Sequence, residues 1–147
     1  MSLILEGIVA LIVQAGSGLQ AITANRIFYM TLPEAVGAAL GTDGPAIVYR
    51  DDVGGSSKAT LDTSGMQEQR VQFDCYAMGS STASGGKIAN DVRDALRRLL
   101  NGCNDTLPNG TFLDNADLIE SHAVYQNDAR QYVAAVEFRL LFTFNDE

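Results

Sequence analysis

Residues 131–144 read QYVAAVEFRLLFTF, and their alternation decides the fold class. Tyr132, Ala134, Val136, Phe138, Leu140, Phe142 and Phe144 fall on one side, because successive side chains of a strand point to opposite faces. The run is long for a small domain, where strands usually span about 3–10 residues. A strand of that length can extend past its own sheet and pair with a neighbouring subunit, which makes Phe142 and Phe144 candidate subunit contacts.

Working outward, residues 116–125 form the preceding strand, and Asn127 and Asp128 supply hairpin chemistry between the two. Before them, residues 102–115 are a polar crossing rich in turn formers, with Pro108, Asn109 and Gly110. Residues 82–101 carry the clearest helical spacing: Ile88, Val92, Ala95, Leu96, Leu99 and Leu100. Ser81, Thr82 or Ser84 caps its start, Arg97 and Arg98 complement its C-terminal dipole, and Gly102 follows its end. Residues 67–78 form another alternating strand, with Val71, Phe73, Cys75 and Ala77 inward and Gln72 and Asp74 outward.

The N-terminal half is less regular. Residues 3–15 predict a helix capped by Ser2 and ended at Gly16 and Gly18, with Leu5, Ile8, Val9, Ile12 and Val13 on its apolar stripe. Residues 25–30 and 46–50 are short strands, separated by an irregular connection with a helical turn near 33–40. Residues 51–57 (DDVGGSS) are a flexible loop by composition, 58–63 alternate weakly, and Gly65 marks a turn. The order predicts an α+β fold: a mostly antiparallel sheet with two main helices on one face, two layers in a single domain spanning 1–147.

Composition bounds the function. The chain has 147 residues with 46% apolar side chains, and a domain of this size buries roughly 68–70% of the surface its unfolded chain exposes. A net charge of −8 with ten basic residues argues against recognition of a nucleic-acid backbone. The apolar run at residues 3–13 lacks a preceding positive region, is interrupted by Glu6, and falls short of a bilayer span. The expectation is a soluble chain, intracellular at synthesis. Two cysteines make no disulfide framework.

No catalytic constellation assembles in the sequence. His122 is the single histidine, with no second for a metal site and no Gly-x-Ser-x-Gly elbow for a triad. Cys75 reads as a small core hydrophobe, and Cys103 lacks an activating partner beyond Arg97 and Arg98. Ser84, Gly85, Gly86 and Lys87 imitate a phosphate loop but fail it at Ser81 and Ile88. Asp51 and Asp52 on a Gly-rich loop read first as solvated acids; with Ser56, Ser57 and Lys58 they are also candidates for a charge contact with another protein. No cofactor or metal is implied.

A family resemblance rests on the order of short motifs. RIFY at 26–29, Pro33 and PAIVY at 45–49 precede the strand RVQFDCYA at 70–77 and the helix segment IANDVRDAL at 88–96. An aromatic-rich closing hairpin follows. In that order they resemble the tail-completion, or tail-terminator, proteins of long-tailed bacteriophages. The resemblance implies a structural virion protein and no enzyme. It implies a homo-oligomeric ring, a hexamer, on the head-proximal end of the tail tube, contacting the major tail tube protein and the head–tail connector. It places the chain in the virion tail or neck and in host cytoplasm during assembly. A neck or head-completion protein is the neighbouring alternative. A small enzyme or ligand-binding domain using Cys103, His122 or a pocket under 102–115 is the alternative of a different class.

Overall fold

The computed structural model describes residues 3–14, 18–51, 66–79, 84–126 and 131–143. In chain order the elements are α1 (Leu3–Val13), α2 (Gln20–Thr23), β1 (Ile27–Tyr29), α3 (Glu34–Ala38), α4 (Leu40–Asp43), β2 (Ala46–Arg50), β3 (Met66–Ala77), α5 (Gly85–Leu100), β4 (Asp105–Thr106), β5 (Phe112–Gln126) and β6 (Gln131–Thr143). The weakly alternating 58–63 stretch, the Ser2, Ser81 and Thr82 caps and the Asn127–Asp128 turn lie outside the described residues.

One six-stranded sheet runs β1-β2-β3-β6-β5-β4. Only β1 and β2 pair parallel; all other neighbours are antiparallel. The fold is therefore the expected α+β arrangement. The last strand is an inner one: β6 is paired by β3 and by β5 along its length to Thr143. It does not reach beyond its sheet within the described residues, because both its edges are already used.

Alternation divides the sheet. Ile47, Tyr49, Val71, Phe73, Cys75, Ala77, Ala134, Val136, Phe138, Leu140 and Phe142 face inward and join one core with Ile4, Leu5, Ile8 and Ile12 of α1 and Ala89, Val92, Leu96 and Leu100 of α5. Phe73 and Phe138 meet edge-on, centroids 6.2 Å apart, a geometry that suits the ring quadrupoles. Helix α5 begins at Ser84, whose Oγ accepts from the Lys87 N–H at 3.2 Å. Its end is set by Gly102, at φ +75°, whose N–H donates to the Ala116 carbonyl and ties the helix exit to β5.

Sequence and structure differ along residues 102–115. The crossing contains β4, and β5 begins at Phe112, earlier than the alternation indicates. Register shifts between Leu113 and Asn115 and between Leu118 and Glu120 insert Asp114 and Ile119 as extra residues. Each shift resets the parity of the strand and hides its period. The crossing itself closes over the core, with Leu107 buried and Asn109 lying beside Gly7 of α1.

Candidate functional site

The sheet face away from the core carries most of the polar chemistry. Register places Val48, Asp74, Ala135 and His122 in one row, and Arg50, Gln72, Glu137 and Glu120 in the next. Because Ala135 is small, a hollow of about 270 Å³ opens above it, lined by Arg50, Gln72, Asp74, Tyr76, His122 and Val133. Asp74 is only 6% exposed. Its carboxylate accepts from Gln72 Nε2 at 2.8 Å and stands 3.6 Å from Arg50 Nε. Burial and the Asp74 charge push the Tyr76 hydroxyl up from its usual pKa.

No serine, cysteine or lysine lines the hollow. His122 is exposed, and its ion-pair neighbour is Glu120 at 3.9 Å. Cys75 points to the opposite face, fully buried, and burial raises its thiol far above the usual range. Cys103 is half-buried, and burial followed by the Asp105 charge raises its thiol too, the reverse of what a reactive thiol needs. Among the described residues no group of three or more His, Cys, Asp and Glu side chains is placed to hold a metal. No helix of the described residues is long and apolar enough to cross a membrane.

The residues singled out as subunit contacts separate on the structure. Asp51 is anchored: Tyr29 Oη donates to Oδ1 at 2.8 Å and Gln69 Nε2 donates to Oδ2 at 3.5 Å. The Tyr29 ring in turn packs on Tyr49, centroids 5.3 Å apart. Phe142 is 2% exposed and belongs to the core that the inner sheet face shares with α1 and α5. Asp52, Ser56, Ser57, Lys58 and Phe144 lie outside the described residues.

Sequence reasoning missed the sheet margins. Among the described residues the exposed large apolar side chains are Ile22 (37%), Tyr29 (41%), Met30 (36%) and Ile119 (39%). The first three stand at or beside β1, and Ile119 stands on β5, so they mark the two lateral ends of one sheet. Adjacent Leu118 and Ile119 break the alternation of β5, which is the signal that locates the inserted residue.

The two ends differ in how their backbone groups are used. At β1 the Ile27 N–H donates to the Asn25 carbonyl and the Tyr29 carbonyl accepts from the Thr31 N–H. Local turns thus use one backbone donor and one backbone acceptor of that three-residue edge. At β5, β4 pairs with Phe112 and Leu113, and the Asp114 and Ala116 carbonyls accept from Asn104 Nδ2 and the Gly102 N–H. Beyond Ala116 no strand of the described residues pairs with the outer side of β5. Residues 119–123 are all exposed there.

Residues 8–143 match a family described as Tail completion protein gp17. No curated protein matches the chain. A chain in a structure described as the virion of a native gene transfer agent (GTA) particle shares the fold, with a TM-score of 0.57 at 15% identity. The match covers 88% of this chain and 85% of that one.

Proposed function

The chain belongs to the tail completion protein gp17 family, and on that premise we propose that it forms a closed ring on the head-proximal end of a tail tube, stops tube growth and receives the head connector. Its role is structural, in completing a phage-type tail. The observation that carries the reading is the extent of the family match, residues 8–143.

The ring is built of six copies in this reading, with the major tail tube protein beneath and the connector above. Head-to-tail contact between unlike patches closes into a ring when the rotation per subunit allows it. The unlike lateral ends of the sheet are suited to that, since one carries Tyr29 and Met30 exposed and the other carries β5 residues 119–123 exposed. Asp51 stands beside the apolar end as the fixed foot of residues 52–58, so Asp52, Ser56, Ser57 and Lys58 are assigned to the subunit contact.

Negative-stain images of tails made with and without this chain test the proposal. With it, tubes should end uniformly in a cap and join heads. Without it, tubes should lengthen past their normal stop and remain headless. Normal tube ends without the chain would refute the cap. Finding the chain bound to tailless heads would move it to the neck.

A further inference from the structure

Helix α5 is the basic element of an acidic chain. It carries Lys87, Arg93, Arg97 and Arg98, four of the chain's ten basic residues, and only two of its eighteen acids. Val92, Leu96 and Leu100 bury one face of the helix in the core, which turns Arg97 and Arg98 outward, where both are exposed. At the end of the helix these two arginines line a hollow of about 390 Å³ together with Asp94 and Asn101. Asp94, 3.5 Å from Arg97, is the one carboxylate of that lining, so the hollow presents a net positive charge. Guanidinium groups bind planar carboxylates through paired donors and stack on aromatic rings.

The matching surface lies at the other end of the sheet. Tyr29 of β1 is 41% exposed, and its hydroxyl donates to Asp51 Oδ1 at 2.8 Å while Gln69 Nε2 donates to Oδ2 at 3.5 Å. The carboxylate is thus oriented beside an exposed ring before a partner arrives, which lowers the ordering cost of a contact. Burial, then the charges of Glu6 and Asp51, push the Tyr49 hydroxyl up from its ordinary pKa, so two acids gather at this corner. The neighbouring cations are turned elsewhere. Arg26 donates to the Pro45 and Ile22 carbonyls, and Arg50 pairs with Asp74 on the outer sheet face. Ile22 and Met30 add exposed apolar surface beside Tyr29.

We propose that the hollow at the end of α5 in one copy receives the Tyr29–Asp51 corner of the next, with Arg97 and Arg98 binding the Asp51 carboxylate and covering the Tyr29 ring. The inference rests on the ring reading and deepens it by naming both halves of the subunit contact. Tyrosine and arginine are the side chains that most often dominate an interface. The exit of α5 is tied to β5 through Gly102 and Ala116, and β1 stands four strand spacings from β5, roughly 19 Å. The two halves therefore lie toward opposite ends of one copy and meet between copies, as a head-to-tail ring requires.

Disulfide trapping tests this in assembled tails, with Cys103→Ser in every chain. Copies carrying Met30→Cys are mixed with copies carrying Asn101→Cys, which leaves the charged groups intact. Covalent dimers containing one of each are expected on oxidation, at least tenfold above those from either variant alone. Equal yields in the single-variant controls, or no mixed dimer, would overturn the inference. A photo-crosslinker on Asn101→Cys should likewise join copy to copy; joining the tube protein or the connector instead would overturn it. Charge removal gives a third reading. Arg97→Gln with Arg98→Gln should lower the capped fraction of tubes at least tenfold, whereas Lys87→Gln at the far end of α5 should change it less than twofold. No loss with the double variant, or equal loss with Lys87→Gln, would overturn the pairing. Caps that persist without mixed dimers refute this contact alone, whereas tube ends that never carry the chain refute the ring reading itself.

Discussion

Arg139 donates from Nη2 to Asp117 Oδ2 at 2.7 Å, directly across the seam between β5 and β6. On its other side Arg139 faces Arg70 of β3. The hydrogen bond to Asp117, with that carboxylate's charge, holds the Arg139 pKa above its ordinary value. Replacing Asp117 by Asn leaves Arg139 beside Arg70 without the Asp117 carboxylate. The urea midpoint should fall slightly, and the deficit should shrink as salt is raised, because the pair is partly exposed.

The core predicts a much larger effect. Phe138 is fully buried on the middle strand, against Phe73 and the helices. Phe138→Ala removes an aromatic ring from a site closed on all sides, a change that costs about 3–5 kcal/mol. Equilibrium urea unfolding checks it; a loss under 1 kcal/mol would mean that the sheet refills the space.

Gly85 opens α5 where there is no room for a side chain. A Cβ there would stand 2.7 Å from Tyr132 Cδ2 and 3.0 Å from the Gly79 backbone nitrogen. Gly85→Ala should cost about 1–3 kcal/mol through overpacking, although alanine is the better helix former. Ser84→Ala, one residue earlier, removes the cap on Lys87 and should cost about 1 kcal/mol. Thermal melts of the two variants rank the effects.

Alkaline pH should destabilise the fold, beginning with the buried Cys75 thiol. Burial holds the folded Cys75 thiol above its ordinary value of 9.0. Its share of stability is therefore complete below pH 9 and is lost as the pH rises further, since the unfolded chain releases the proton first. The slope reaches about 1.4 kcal/mol per pH unit for one proton. Tyr49 and Tyr76, both raised from 10.0, extend the loss beyond pH 10. Urea midpoints at pH 7, 9.5 and 10.5 test the trend, and Cys75→Ala should flatten the first part of it.

The strands and helix with an unbroken period were legible from residues alone. Tyr132 to Phe142 alternate without a fault, and Ile88 to Leu100 keep helical spacing, so β6 and α5 stand where the sequence places them. In β5 the inserted Asp114 and Ile119 shift the parity twice, and the strand's start disappears into polar residues. Asp51 reads as a solvated loop acid until its partner Tyr29, 22 residues earlier, is seen to hold it. Alternation places Phe142 on the inner face of a long strand, but only the helices packed on that face show that it meets a core and not a neighbour. Edges and margins are properties of strand order, which no local pattern encodes.

The inner position of β6 also governs how the molecule comes into being. During synthesis β3 and β5 both precede the strand that joins them. Until β6 emerges, the nascent chain holds two separate sheet fragments with exposed inner edges, the kind of species that aggregates. A chain lacking β6 would keep β1-β2-β3 on one side and β5-β4 on the other with nothing to join them.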